Sequence, residues 1–130
     1  MHTIDTADAG TAGELNAEIA RSIVRIYRAV RGRGPSKARA WFRGDVVVVV
    51  LEGICTPTER SLVAGGRSAE AARLHRDLHG VMEDPLRDAV AGLTGAGVRV
   101  VLGDSAHDPD VAVEVFMLDR TIDASHGAVS

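Results

Sequence analysis

From Glu14 onward apolar residues recur every three or four positions, at Leu15, Ile19, Ile23, Ile26 and Val30, beside a polar stripe of Glu14, Glu18, Arg21, Arg25 and Arg28. Positions three and four apart share one helical face, so this spacing predicts an amphipathic helix. Gly32 and Gly34 end it, and Pro35 forbids its continuation. Ala38, Ala40 and Phe42 then alternate with Arg39, Trp41 and Arg43, the period of a half-exposed strand, and Gly44 with Asp45 supplies a turn. The run Val46 to Leu51 has no alternation, which predicts a β-branched strand covered, or nearly covered, on both faces.

The second half follows the same order without repeating the sequence. In "TPTE", Thr56 is placed as an N-cap, Pro57 as the first helical residue and Glu59 as the partner that closes a capping box, so a short helix follows. Gly65 and Gly66 stop it. Ser68 is placed to cap a longer helix with an apolar face at Leu74, Leu78, Val81, Met82, Ala89, Val90 and Leu93, and Pro85 predicts a kink or a restart within it. Val98 to Leu102 and Val111 to Leu118 read as strands joined by a turn at Asp108 and Pro109. The expected fold class is α+β: a four-stranded antiparallel sheet in the order α-ββ-αα-ββ, with the helices packed on the sheet. One domain over 1–130 is expected, with an ordered core at 14–119 and flexible tails at 1–12 and 121–130.

Composition sharpens this in three places. Aromatic residues make up 3% of the chain, so Val, Leu, Ile and Ala must build the core. Cys55 is the single cysteine and cannot form an internal bridge, and the opening residues lack a charged, apolar and small-residue leader; the expected location is a reducing cytoplasm. The longest apolar run, Val46 to Leu51, is far short of the roughly 20 residues that cross a bilayer, so no membrane insertion is expected.

Net charge is -3, but it is unevenly spread. Between Ile19 and Gly44 no residue is acidic, while Arg21, Arg25, Arg28, Arg31, Arg33, Lys37, Arg39 and Arg43 fall there; from Asp104 to Asp123 the sign reverses. Such asymmetry points to an anion-binding surface, or to ends that attract each other within one fold or across a dimer.

The Gly-rich loop around Pro35 follows a helix instead of preceding one, so the helix dipole there repels anions, and it reads as a solvated turn rather than a phosphate loop. Arg31, Arg33, Lys37 and Arg39 remain a diffuse surface for an anionic partner. In "HRDLH", His75 and His79 stand one helical turn apart with Glu83 a turn further on, a spacing that suits a metal, although the residue after His75 is Arg76 where the zinc-protease pattern has Glu. Solvated surface histidines are the preferred reading, with no cofactor expected. The aspartates of "GDSAHDPD" lack the EF-hand spacing and read as a turn. Cys55, between a strand and a helix start, reads as apolar filler, since no nucleophile motif accompanies it. Glu52 and Glu114 lie near strand ends and pair only if the two hairpins adjoin.

"LNAEIARSIVRIYRAVRGRGPSKARAWFRGDVVVVVLEGICTPTERSLVAGG" and "DPDVAVEVFMLD" resemble a bacterial family, the MpsC-like domain, named for a sodium-translocating, membrane-potential-generating system. The resemblance spans Glu14 to Asp119. Its most specific parts are the "GRGP" turn at Gly32 to Pro35, "VVVVLEG" at Val47 to Gly53, the "TPTE" helix start and "DPDVAVEVF" at Asp108 to Phe116. Pro85 departs from the family's pattern, in which the long helix runs through. The resemblance implies a small cytoplasmic accessory protein of membrane transport proteins, with no catalytic residue to carry over. The expected function is therefore a non-enzymatic interaction protein that forms a homodimer through its oppositely charged halves and exposed hairpin edges. The alternatives are an anion or nucleic-acid binder using Arg21 to Arg43, weakened by the scarcity of aromatic stacking residues, and a metal-dependent enzyme at His75, His79 and Glu83.

Overall fold

The structure, a computed structural model, describes residues 3–122 of the chain. Helix α1 (Thr3–Arg31) leads into the hairpin β1 (Lys37–Arg43) and β2 (Val46–Glu52). Helices α2 (Pro57–Ala64) and α3 (Ser68–Thr94) follow, and a second hairpin, β3 (Val98–Ala106) and β4 (Val111–Leu118), completes the α-ββ-αα-ββ order. The sheet is antiparallel throughout with strand order β1-β2-β4-β3, so the hairpins meet edge to edge where Val49 pairs with Glu114 and Val47 with Phe116.

The helices gather on one face of the sheet. Leu15, Ile19, Ile23 and Tyr27 of α1 pack with Met82, Leu86 and Val90 of α3 against Val47, Val49 and Leu51 of β2 and Phe116 and Leu118 of β4. Full burial of each such side chain contributes roughly 1.5–3 kcal/mol, so this layer is the main source of stability. Local chemistry sets the element ends. Gly32 adopts φ +81, a left-handed conformation that disfavours any side chain, and donates to the Arg28 carbonyl at 3.0 Å to close α1. At the start of α2 the capping box forms as its residue types predict.

The structure corrects several expectations. The run at β2 is not covered on both faces: Val47, Val49 and Leu51 are buried, whereas Val46, Val48 and Val50 are only half-buried on the outer face. Among the described residues every helix lies on the other side. Helix α3 runs through Pro85 without a break. Pro85 removes one hydrogen bond to the Val81 carbonyl, but Pro85 and Val81 are both exposed, so the break falls on the solvent side of the helix, where its cost is smallest. Ser68 is the first residue of α3 and not its cap; Arg67 takes the cap position without a side-chain bond. Strand β3 continues beyond Leu102 to Ala106.

At the chain ends, α1 starts at Thr3, well before the apolar stripe begins at Leu15. Ile122 is buried and donates to the Gly44 carbonyl at 3.0 Å, so packing extends past Asp119. Residues 1–2 and 123–130 of the expected tails lie outside the described residues.

Candidate functional site

Beneath the sheet, where an apolar layer would be expected, six polar residues meet. Helix α1 supplies Tyr27 and Arg31, one turn apart at the end of the series Leu15, Ile19, Ile23, Tyr27, all buried. Helix α3 supplies His75 and His79, α2 supplies Glu59, and β4 supplies Glu114. They divide into two carboxylate-centred groups.

In the first group, Tyr27 Oη donates to Glu114 Oε2 at 2.6 Å and His79 Nε2 donates to Glu114 Oε1 at 2.8 Å. The bond to Glu114 holds the His79 pKa above its ordinary value, outweighing burial. Burial, reinforced by the Glu114 charge, pushes the Tyr27 phenol far above its usual range, so it serves only as a donor. Gly103 makes room for the group: a Cβ there would lie 2.6 Å from His79 Nε2 and 2.7 Å from Glu114 Oε1.

In the second group, Arg31 forms a fully buried ion pair with Glu59 Oε1 and donates to the Ile54 carbonyl at 3.2 and 3.3 Å. The same Glu59 oxygen accepts from Thr56 N and Thr56 Oγ1 at 2.9 Å each, while Glu59 N donates to Thr56 Oγ1 at 3.2 Å. Burial alone would raise the Glu59 pKa, but the bonds from Thr56 and Arg31 hold it below the ordinary value. Arg31 Nη1 also lies 3.4 Å from His75 Nδ1. An arginine only donates, so Nδ1 accepts and His75 is neutral with its proton on Nε2. Burial, and then the Arg31 charge, lower its pKa accordingly. The His75 and His79 rings stack with centroids 6.4 Å apart and link the groups.

Both histidines border a cleft of about 470 Å³ that opens beside β3 and is also lined by Ser68, Arg76, Ser105 and His107. Next to it, Cys55 Sγ lies 3.1 Å from His107 Nδ1, and the Asp110 carboxylate accepts from the Ile54 and Cys55 amides at 3.0 to 3.2 Å. Burial, and then the Asp110 and Glu59 charges, push the Cys55 thiol up.

The residues singled out from the sequence are dispersed. Arg31 is buried in the ion pair, and Arg33 donates to the Cys55 carbonyl at 3.2 Å. Lys37 and Arg39 stand exposed on the outer face of β1, Arg39 over the Trp41 ring at 5.9 Å. His75 and His79 share a helix face, but Glu83 pairs with Arg87 at 3.2 Å, and among the described residues no three His, Cys, Asp or Glu side chains converge as metal ligands. Glu52 and Glu114 do not pair, although the hairpins adjoin: Glu52 sits opposite Val111 and Glu114 opposite Val49, on opposite faces. Sequence reasoning missed Tyr27, Arg31, Glu59 and Glu114 as members of one network. The signal for the α1 pair was the unbroken four-residue spacing from Leu15 to Arg31.

The outer face of the sheet contrasts with this interior. Val46, Val48 and Val50 of β2 lie beside Val113, Val115 and Met117 of β4, flanked by Trp41 on β1 and by Val100 and Leu102 on β3. Trp41 is 41% exposed and Leu102 56%, high values for residues of their size.

Among known families, residues 11–120 match the family described as Na+-translocating membrane potential-generating system (MpsC). No curated protein and no solved structure matches the chain.

Proposed function

The chain belongs to the MpsC family, and from that premise we propose that it is a non-enzymatic accessory subunit associated with a sodium-translocating, membrane-potential-generating system, acting by docking to other chains. The observation that carries this reading is the uncovered apolar face of the sheet. The ionisable groups of the interior hydrogen-bond mainly with one another, which supports reading the outward face as the surface that acts, by interaction. No helix among the described residues is long and apolar enough to cross a membrane, in keeping with an accessory role beside chains that carry the ion.

Cells lacking the gene, given a sodium gradient and a potential-sensitive dye, test it. The sodium-dependent part of the membrane potential should fall and return with the wild-type chain; a potential unchanged by deletion overturns the reading.

A second reading has its own observation. A groove of about 500 Å³ between α1 and the start of β1 is lined by Arg21, Arg25, Arg28 and Lys37, which suits an acidic segment of a partner. Binding of a poly-glutamate peptide that weakens as salt rises would support it, and no binding in low salt would remove it.

A further inference from the structure

We infer that the outer face of the sheet mates with the same face of a second copy of this chain, about a two-fold axis parallel to the strands. This deepens the reading of that face as a docking surface by naming its partner.

The first observation is an expectation left unmet within one chain. The β2 run is apolar at every position from Val46 to Leu51, the pattern of a strand shielded on both sides, yet the helices shield only one. On β4 the outward positions Val111, Val113, Val115 and Met117 are apolar too. A four-stranded face of this length measures roughly 400 Å², from a strand spacing near 4.8 Å and a rise near 3.3 Å per residue. Lys37, Arg39, Arg43, Glu52 and Asp104 occupy its margins, and the apolar centre between them, built from Val46, Val48, Val50, Val113, Val115 and Met117 with Trp41 and Leu102, is of a kind that is often functional when left exposed.

Charge then selects the occupant and the geometry. The ladders align Arg39, Val50, Val113 and Asp104 in one row across the sheet, all on the outer face, with the cation at the β1 edge and the anion at the β3 edge. The next row is Trp41, Val48, Val115 and Leu102. Rotation by 180° about an axis along the strands, between β2 and β4, lays β1 of one copy over β3 of the other and keeps every row in place. Arg39 then faces the other copy's Asp104 at both ends, exposed Trp41 covers exposed Leu102, and the valines of β2 meet those of β4. Arg43 lies over Val100 with Arg99 next along β3, so that corner adds no ion pair. An axis across the strands would instead lay β1 on β1 and set Lys37 against Arg43, cation on cation. The first arrangement pairs Arg39 with Asp104 at both ends and avoids that clash, leaving Lys37 over Ala106 and Glu52 over Val111 at one margin, and it is self-complementary as a two-fold contact requires.

Sedimentation velocity over a concentration series, with native mass spectrometry, tests this on the full chain. Wild type should be a dimer. Arg39→Asp and Asp104→Arg, both at exposed positions, should each keep the wild-type circular dichroism and raise the dissociation constant on the order of a hundredfold, because two like-charge contacts replace two ion pairs. Mixing the two variants should restore a dimer of one chain each: native Arg39 faces native Asp104 at one end, and the introduced carboxylate faces the introduced guanidinium at the other. A monomeric wild type, variants that stay dimeric, or a mixture that fails to associate overturns the inference. The accessory role fails separately: if wild type is monomeric but Leu102→Lys still abolishes the sodium-dependent potential, the face belongs to a different protein. If the dimer forms while gene deletion leaves the potential unchanged, the two-fold contact stands and the accessory role falls.

Discussion

Glu59 and Glu114 are both fully buried, yet they are neutralised in opposite ways. Glu59 faces Arg31, whose charge is permanent, and it caps its own helix through Thr56. Glu114 faces Tyr27 and His79, and only the histidine can bring positive charge, at a pH that its surroundings set. The difference teaches where the interior responds to its environment. The Glu59 group is a fixed structural joint between α1, α2 and α3, while the Glu114 group, bordered by Gly103 and the cleft, depends on the proton of His79, whose pKa the bond to Glu114 raises.

Breaking the fixed joint should have the largest effect. Arg31→Met leaves Glu59 buried without its counter-ion, and urea unfolding should show a loss of about 3–5 kcal/mol. A variant that unfolds at the wild-type midpoint would mean the pair holds nothing together. Tyr27→Phe strands Glu114 Oε2 and should cost about 2 kcal/mol by the same measurement, since bonds to a carboxylate exceed neutral ones. Gly103→Ala pushes a methyl between His79 and Glu114; a loss of about 1–2 kcal/mol is expected, together with a shift of the His79 C–H resonance titration towards lower pH.

The smallest effect, and the sharpest contrast, is in the pH profile. His79 has a raised folded-state pKa, so its contribution is complete below the ordinary histidine value of about 6.5 and fades as pH rises through the raised value. His75 has a lowered one, so the folded state binds fewer protons than the unfolded, and stability falls as pH drops below about 6.5. The two trends oppose, and the thermal midpoint should peak near pH 6.5. His79→Gln should flatten the alkaline limb and His75→Gln the acid limb; identical profiles for both variants would remove the distinction between the groups. Glu59, with its lowered pKa, adds stability that is present above its unfolded value and disappears as pH falls through the folded one, well to the acid side of this peak.

Features that depend on neighbours in the chain were legible in the sequence. The capping box at Thr56 to Glu59 needs residues three apart, the end of α1 needs Gly32 and Pro35, and the strands need alternation or a β-branched run. These fixed seven elements in order, and the antiparallel sheet followed from two short-turn hairpins. That α3 does not restart at Pro85 was not legible, because the cost of a missing helical bond depends on whether the freed carbonyl is open to solvent, which is a fact about the assembled surface.

What the sequence could not assign was which distant polar groups would meet. Tyr27 and Glu114 are 87 positions apart, and Arg31 and Glu59 are 28 apart; no local pattern couples them. Exposure of only 0% for Glu59 and 1% for Glu114 is tolerable only because the β2–β4 junction and the α1–α3 packing deliver partners to them. The sequence alone determined the elements, because propensity and capping act over a few residues. Tertiary structure alone decided which charges are joined beneath the sheet and which valines are left facing outward, because both depend on contacts between segments far apart in the chain.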